Sequence, residues 1–153
     1  MIRTERRLHL SAWLIGLLLC FIWGNSLLSA ELSRSFSLWV QSVLELVLPV
    51  SGGTPEQGHG LLRKFAHFSE FAVLGACICW RLGMLEKRKI MALVYGFGAG
   101  CVDETIQLFV PDRGPGLKDV AIDTCGTAAG MLLLLFGHYL FRKSKRSKEN
   151  KTP

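Results

Sequence analysis

Apolar residues are gathered along this chain into long blocks, set apart by short polar or basic ones. Residues 8–30 contain no Asp, Glu, Lys or Arg, and residues 124–141 are equally free of them. A helix crossing a bilayer core needs roughly 20 apolar residues, so either block is long enough to span. The pattern predicts four helices, at about residues 10–28, 62–82, 90–110 and 119–141. Between the first two, "SFSLWVQSVLELVLPV" places Trp39, Val43, Leu46 and Val47 at helical spacing, which fits a short interfacial helix or a shallow re-entrant segment. The Gly- and Pro-containing "SGGTPEQGHG" that follows reads as a loop. The expected fold is therefore all-α: one integral membrane domain over residues 1–153, a four-helix bundle with an extra amphipathic or re-entrant segment in its first outer loop, ending in a basic tail at 142–153. No internal repeat or separate soluble domain is visible.

Arg3, Arg6 and Arg7 ahead of the first apolar block have the look of a signal peptide. That block is longer than the roughly 7–15 residues of a cleavable apolar region, and further spans follow, so a retained signal anchor is expected, with cleavage near Ser29-Ala30 as the alternative. Charge then orients the bundle. Half of the 153 residues are hydrophobic and the net charge is +6, with the basic residues sitting beside apolar spans; this argues for membrane topology and against nucleic acid as a partner. The N-terminal arginines, Arg81 with Lys87, Arg88 and Lys89, and the six Lys/Arg of the C-terminal tail fall on one side. The positive-inside rule makes that side cytoplasmic and places both termini there.

With that topology, polar residues from three helices reach a similar depth near the outer face. Lys64, His67 and Glu70 lie in the outer turns of the second helix, Asp103, Glu104 and Gln107 in the outer half of the third, and Asp119 and Asp123 at the outer end of the fourth. Residues at i, i+4, i+7 and i+11 share a helix face. Such stripes read Gly96, Gly100, Asp103, Gln107 on the third helix and Asp119, Asp123, Gly126, Gly130 on the fourth. Gly-xxx-Gly pairs let backbones approach in lipid. The glycine ends are thus expected to pack helix on helix with the acidic ends facing each other, and Asn25 and Ser26 to line the cluster. A charge at bilayer mid-depth costs roughly 2.5–3.5 kcal/mol on insertion scales, which argues that Asp103 and Asp123 are partnered or functional. The plainer readings are that Asp119 caps its helix, that Lys118 is an interfacial anchor, and that Glu104, about 100° round the helix from Asp103, faces another neighbour.

The segments "KFAHFSEFAVLG" and "DETIQLFVPDRGPGLKDVAIDTCGTAAG" resemble the VanZ-like family, with its Lys-x-x-His-Phe segment, Asp-Glu-x-x-Gln, Pro-x-Arg turn and Asp-x-x-x-Asn/Asp-x-x-Gly. The resemblance covers residues 63–130 and implies a small bacterial multi-pass protein of the cytoplasmic membrane. The family is named for low-level teicoplanin resistance and carries no settled biochemical activity. Its motif positions fall on Lys64, His67, Glu70, Asp103, Glu104, Gln107, Arg113, Asp119 and Asp123. Asp123 stands where Asn is common and Asp112 adds an acid before Arg113; the extra negative charge favours a cation or a basic ligand group.

Two functions follow as expectations. In the first, Lys64, Glu104, Gln107, Arg113, Asp119 and Asp123 bind the head group of an amphiphilic envelope ligand: a lipid, a lipid-linked wall precursor or a lipoglycopeptide. In the second, a small intramembrane phosphatase or transferase acts on a lipid head group, with His67, Asp103 and Glu70 as the catalytic residues and His67 moving the proton. Whether any bond is made or broken stays open, and a structural accessory of a larger complex is the blandest reading. His and carboxylates are ligand types for a divalent metal, but no spacing matches a zinc signature such as His-Glu-x-x-His. Cys20, Cys77, Cys79, Cys101 and Cys125 all fall in predicted spans, so no disulfide framework is expected. Trp23, Trp39 and Trp80 lie near predicted span ends, as interfacial belt residues do.

Overall fold

The computed structural model describes residues 2–29, 31–32, 35, 38–40, 42, 55–85, 87–111 and 116–149, and no strand occurs among them. Four long helices are α1 (Ile2–Ser26), α2 (Pro55–Met84), α3 (Met91–Gln107) and α4 (Leu117–Glu149). After the non-helical residues 27–29, the remaining described residues before α2, including Trp39, are helical as well, whereas Val43, Leu46 and Val47 of the predicted amphipathic segment lie outside the described residues.

Four boundaries differ by three residues or more from the sequence expectation, the first being α1, which begins at Ile2 rather than 10. Residues 55–60, expected in a loop, already belong to α2. Pro55 is suited to a first helical position, where its missing N–H is no loss. α3 ends at Gln107 rather than 110, and turn bonds from Phe109 N to Ile106 O (3.1 Å) and from Val110 N to Gln107 O (3.2 Å) replace the helical ladder. Pro111 follows directly and disfavours helix at the residue before it. At the other extreme, α4 runs on through the expected basic tail to Glu149. Lys and Arg are good helix formers that lose little rotamer freedom in a helix.

Segments Thr4–Ser26, Leu62–Gly83 and Leu117–Ser147 are long and apolar enough to cross a membrane. At 17 residues α3 is shorter, about 26 Å at 1.5 Å per residue, against roughly 30 Å of hydrocarbon. Large apolar side chains such as Trp13, Phe21, Phe97, Leu133 and Phe136 are exposed, as lipid-facing residues are, while Ile22, Phe71, Leu74, Ala92 and Met131 form the interior.

Successive helices run antiparallel. Arg81 near the end of α2 donates to Ser11 Oγ (3.0 Å) and to the Leu8 carbonyl in the first half of α1, whereas Asn25 at the end of α1 donates to Glu70 midway along α2 (3.1 Å). Gly96 and Gly100 of α3 face Thr127 and Asp123 of α4, again in opposite directions, and α2 and α4 run parallel, with Phe68 against Gly126 and Ala72 against Gly130. Arg7, Lys89 and Arg142 consequently border one cavity of about 290 Å³, so both ends of the described chain lie at the same, basic end of the bundle.

The glycine stripes pack helix on helix, but not against each other. A Cβ on Gly126 or Gly130 would meet the carbonyl oxygens of Phe68 and Ala72, which makes this pair the seam with α2; Gly75 of α2 is pressed in turn against the Thr127 backbone. Gly96 and Gly100 instead make room on α3 for the side chains of Thr127 and Asp123. α4 has two neighbours, and one glycine face serves each contact. Trp23 is half-buried and donates from Nε1 to the Ala99 carbonyl at 3.3 Å, which ties the end of α1 to α3. The five cysteines are all free, as expected.

Arg81 joins α1 to α2 through hydrogen bonds of a charged donor, each of which contributes roughly 1.5–3 kcal/mol. Arg81→Ala is expected to destabilise the protein by about 2 kcal/mol and to speed amide exchange in the first half of α1 while the acidic end stays protected. Unchanged exchange there shows that the Arg81 bonds hold nothing in place.

Candidate functional site

The end of the bundle opposite the basic residues is polar inside. On α2 the stripe Arg63, His67, Glu70, Leu74 turns inward at helical spacing. α3 contributes Asp103, Glu104 and Gln107, all buried, and α4 contributes Asp123, also buried. α1 adds Asn25 and Ser26 from its last turn. Sequence reasoning expected most of this convergence, and the structure brings His67, Asp103, Gln107 and Asp123 together.

Asp103 is fully buried and held at both oxygens: Ser26 Oγ donates to Oδ1 at 2.7 Å and Gln107 Nε2 to Oδ2 at 3.0 Å. The same Gln107 amide also donates to Glu104 Oε1 at 3.2 Å, and its carbonyl oxygen accepts a long bond of 3.4 Å from Arg63. Glu104 Oε2 takes the Gly116 backbone N–H at 2.6 Å, which ties the start of α4 to the end of α3. Both oxygens of Glu104 are thus engaged within the fold.

Asp123 is placed differently. It is 1% exposed, and neither carboxylate oxygen has a hydrogen-bond partner. Its Oδ1 lies 3.8 Å from His67 Nδ1, and Asp103 Oδ2 lies 3.9 Å from the same nitrogen. Both separations exceed hydrogen-bond length. One donor atom each from His67, Asp103 and Asp123 all fall within 4.8 Å of one another, close enough for a shared cation. Glu70 stands to one side: Asn25 donates to its Oε1 at 3.1 Å, while the buried Oε2 has no partner.

A cavity of about 10 Å³ opens beside this group, lined by Arg63, Lys64, His67, Gln107, Asp119, Ile122 and Asp123. That is room for roughly one water-sized sphere. Lys64 is exposed at its mouth. Asp119 lies in the first turn of α4 rather than capping it and reaches the cavity from there. Arg113 and Asp112 lie outside the described residues.

Arg63 was not among the expected site residues, although it shares a helix face with His67 and Glu70 at i, i+4 and i+7; the neighbouring Lys64 carries the motif and drew the attention. Thr127 was also missed. It is fully buried, bonds back to the Asp123 carbonyl at 3.0 Å, and faces Gly96. The signal for it was the glycine opposite, which sequence alone could not pair with it.

Chemically, an imidazole set between two buried carboxylates, with a guanidinium and an ammonium at the entrance, can hold a cation, exchange a proton, or receive an anionic group at its rim. Neither among curated proteins nor among solved structures does the chain find a match. A family model described as VanZ/LLP1 does match, over residues 11–141, from α1 through most of α4. The protein is thus a membrane protein of the VanZ/LLP1 family.

Proposed function

We propose that this protein binds an amphiphilic envelope ligand with an anionic head group at the polar end of the bundle. The observation that carries the reading is the small cavity, where Arg63 and Lys64 sit at the entrance to a half-buried His67 and the buried Gln107 and Asp123. Its size admits about one oxygen-sized group, so a single head-group oxygen enters while the rest of the head lies across the exposed Lys64 and the tail follows the apolar helix faces. Lipids, lipid-linked wall precursors and lipoglycopeptides share this amphiphilic chemistry, and the family's association with teicoplanin accords with it. The basic residues gathered at the opposite end support a bacterial cytoplasmic-membrane protein with both termini inside and a site that faces the outer leaflet.

The test uses the full chain in nanodiscs that contain phosphatidylglycerol and phosphatidylcholine, with co-purifying lipid read by native mass spectrometry. Arg63→Ala combined with Lys64→Ala is expected to lower retention of the anionic lipid about tenfold relative to the neutral one, the scale of one charged hydrogen bond. Equal retention by both proteins removes the head-group reading.

A second reading is favoured by the position of His67 between two carboxylates: acid/base chemistry on a lipid phosphate, with His67 moving the proton, Asp103 and Glu70 assisting, and Arg63 and Lys64 on the phosphoryl oxygens. Phosphate release from a lipid phosphate by the purified protein, lost in His67→Ala, distinguishes it from binding alone.

A further inference from the structure

Three features of the acidic end are not accounted for by a head group at its entrance. Asp123 carries two buried oxygens with no hydrogen-bond partner. Asp103, by contrast, is fixed by Ser26 and Gln107 with its Oδ2 turned toward His67. And the His67 nitrogen stands from both carboxylates at 3.8 and 3.9 Å, too far for hydrogen bonds yet close enough to share a ligand. An orphaned carboxylate in a low-dielectric interior is costly, whereas a bound cation supplies what it lacks.

We propose that His67, Asp103 and Asp123 bind one divalent cation, with Zn²⁺ the best match, through His67 Nδ1 and one oxygen of each carboxylate. Two aspartates balance the double positive charge inside the bundle. One nitrogen and two oxygens suit zinc, while Ca²⁺ wants six to eight oxygens and Mg²⁺ keeps several waters. The adjoining cavity of about 10 Å³ has space for one small molecule, not for a hydration shell. Three protein ligands and one water complete a tetrahedron, and the fourth position opens toward Arg63 and Lys64.

Tetrahedral bonds of about 2.0–2.1 Å set donors roughly 3.4 Å apart, so the pairs at 3.8 and 3.9 Å close by about half an ångström and no pair by more than about 1.4 Å. Ser26 and Gln107 act as the outer partners that orient Asp103, the role such hydrogen bonds play around metal ligands. Gly100 leaves the space Asp123 occupies, since a Cβ there would lie 3.3 Å from that side chain. This site goes beyond the head-group reading and stands without it.

The full chain, purified in detergent and stripped with a chelator, is titrated with Zn²⁺ alone by calorimetry and with Co²⁺ by visible absorption. One equivalent of Zn²⁺ should bind and raise the unfolding midpoint by several degrees, and Co²⁺ should give the intense bands of a tetrahedral site. Asp123→Asn and His67→Gln, each close in shape to the native side chain, should each lower affinity at least about a hundredfold. His9→Gln with His138→Gln, remote from the site, should leave binding intact. Arg63→Ala with Lys64→Ala should also keep the metal, so loss of lipid retention and loss of the cation are separable. The proposal is overturned if the wild type takes up no Zn²⁺, or if Asp123→Asn and His67→Gln bind it as the wild type does.

Discussion

Gly130→Leu is expected to destabilise the bundle by about 3 kcal/mol or more, at the upper end of what overpacking a tight contact costs. A Cβ at this position would fall on the Ala72 carbonyl oxygen. That oxygen belongs to backbone, which cannot swing aside as a side-chain tip does, so α4 must move off α2 along the seam that Gly75 and Gly126 also form. The displacement also separates His67 on α2 from Asp123 on α4, because the same two helices carry them. Gly137, seven residues further along α4, has nothing within 4 Å of a Cβ. There, replacement by alanine should stabilise by up to about 1 kcal/mol through helix propensity alone. Unfolding in mixed micelles, followed by tryptophan fluorescence, compares the two. If Gly130→Leu unfolds within about 0.5 kcal/mol of the wild type, the α2–α4 contact is looser than described.

That contact also shows what the sequence could and could not carry. The apolar blocks predicted helices at the right places because a spanning helix must be continuous and apolar over its whole length. The ends were harder to place, for different reasons at each one. Pro55 falls in a segment that reads as a loop yet opens α2, and α4, expected to end near 141, runs on through the basic tail. Periodicity put Asp103 with Gln107 on one face and Asp119 with Asp123 on another, which was enough to foresee an acidic cluster. It did not say which neighbour each face meets. Gly126 and Gly130 serve α2, and Asp123 turns to where α2, α3 and α4 meet, a consequence of three-helix packing that no single helix encodes. Asn25 and Ser26 were expected to line the site, and both do so by side-chain hydrogen bonds to Glu70 and Asp103.

Asp123→Asn separates a functional acid from a structural one by the sign of its effect. The substitution keeps the shape of the side chain, replaces a carboxyl oxygen that no hydrogen bond compensates, and offers N–H groups beside the neighbouring Asp103. In chelator the variant should therefore be more stable than the wild type, by about 1–3 kcal/mol, the cost of leaving a buried polar group unsatisfied. With Zn²⁺ at a thousand times its dissociation constant, the wild type should gain about 4.1 kcal/mol while the variant gains little. The order of the two proteins then reverses between the two buffers, as thermal unfolding of both in each buffer would show. A structural tie between Asp123 and His67 predicts the opposite: the variant is weaker in chelator, and metal changes nothing. Natural proteins keep groups that cost stability where those groups act. A carboxylate buried at the junction of three helices, unbonded and beside a second carboxylate and an imidazole, is such a group, and the reversal measures how much of its cost the bound ion offsets.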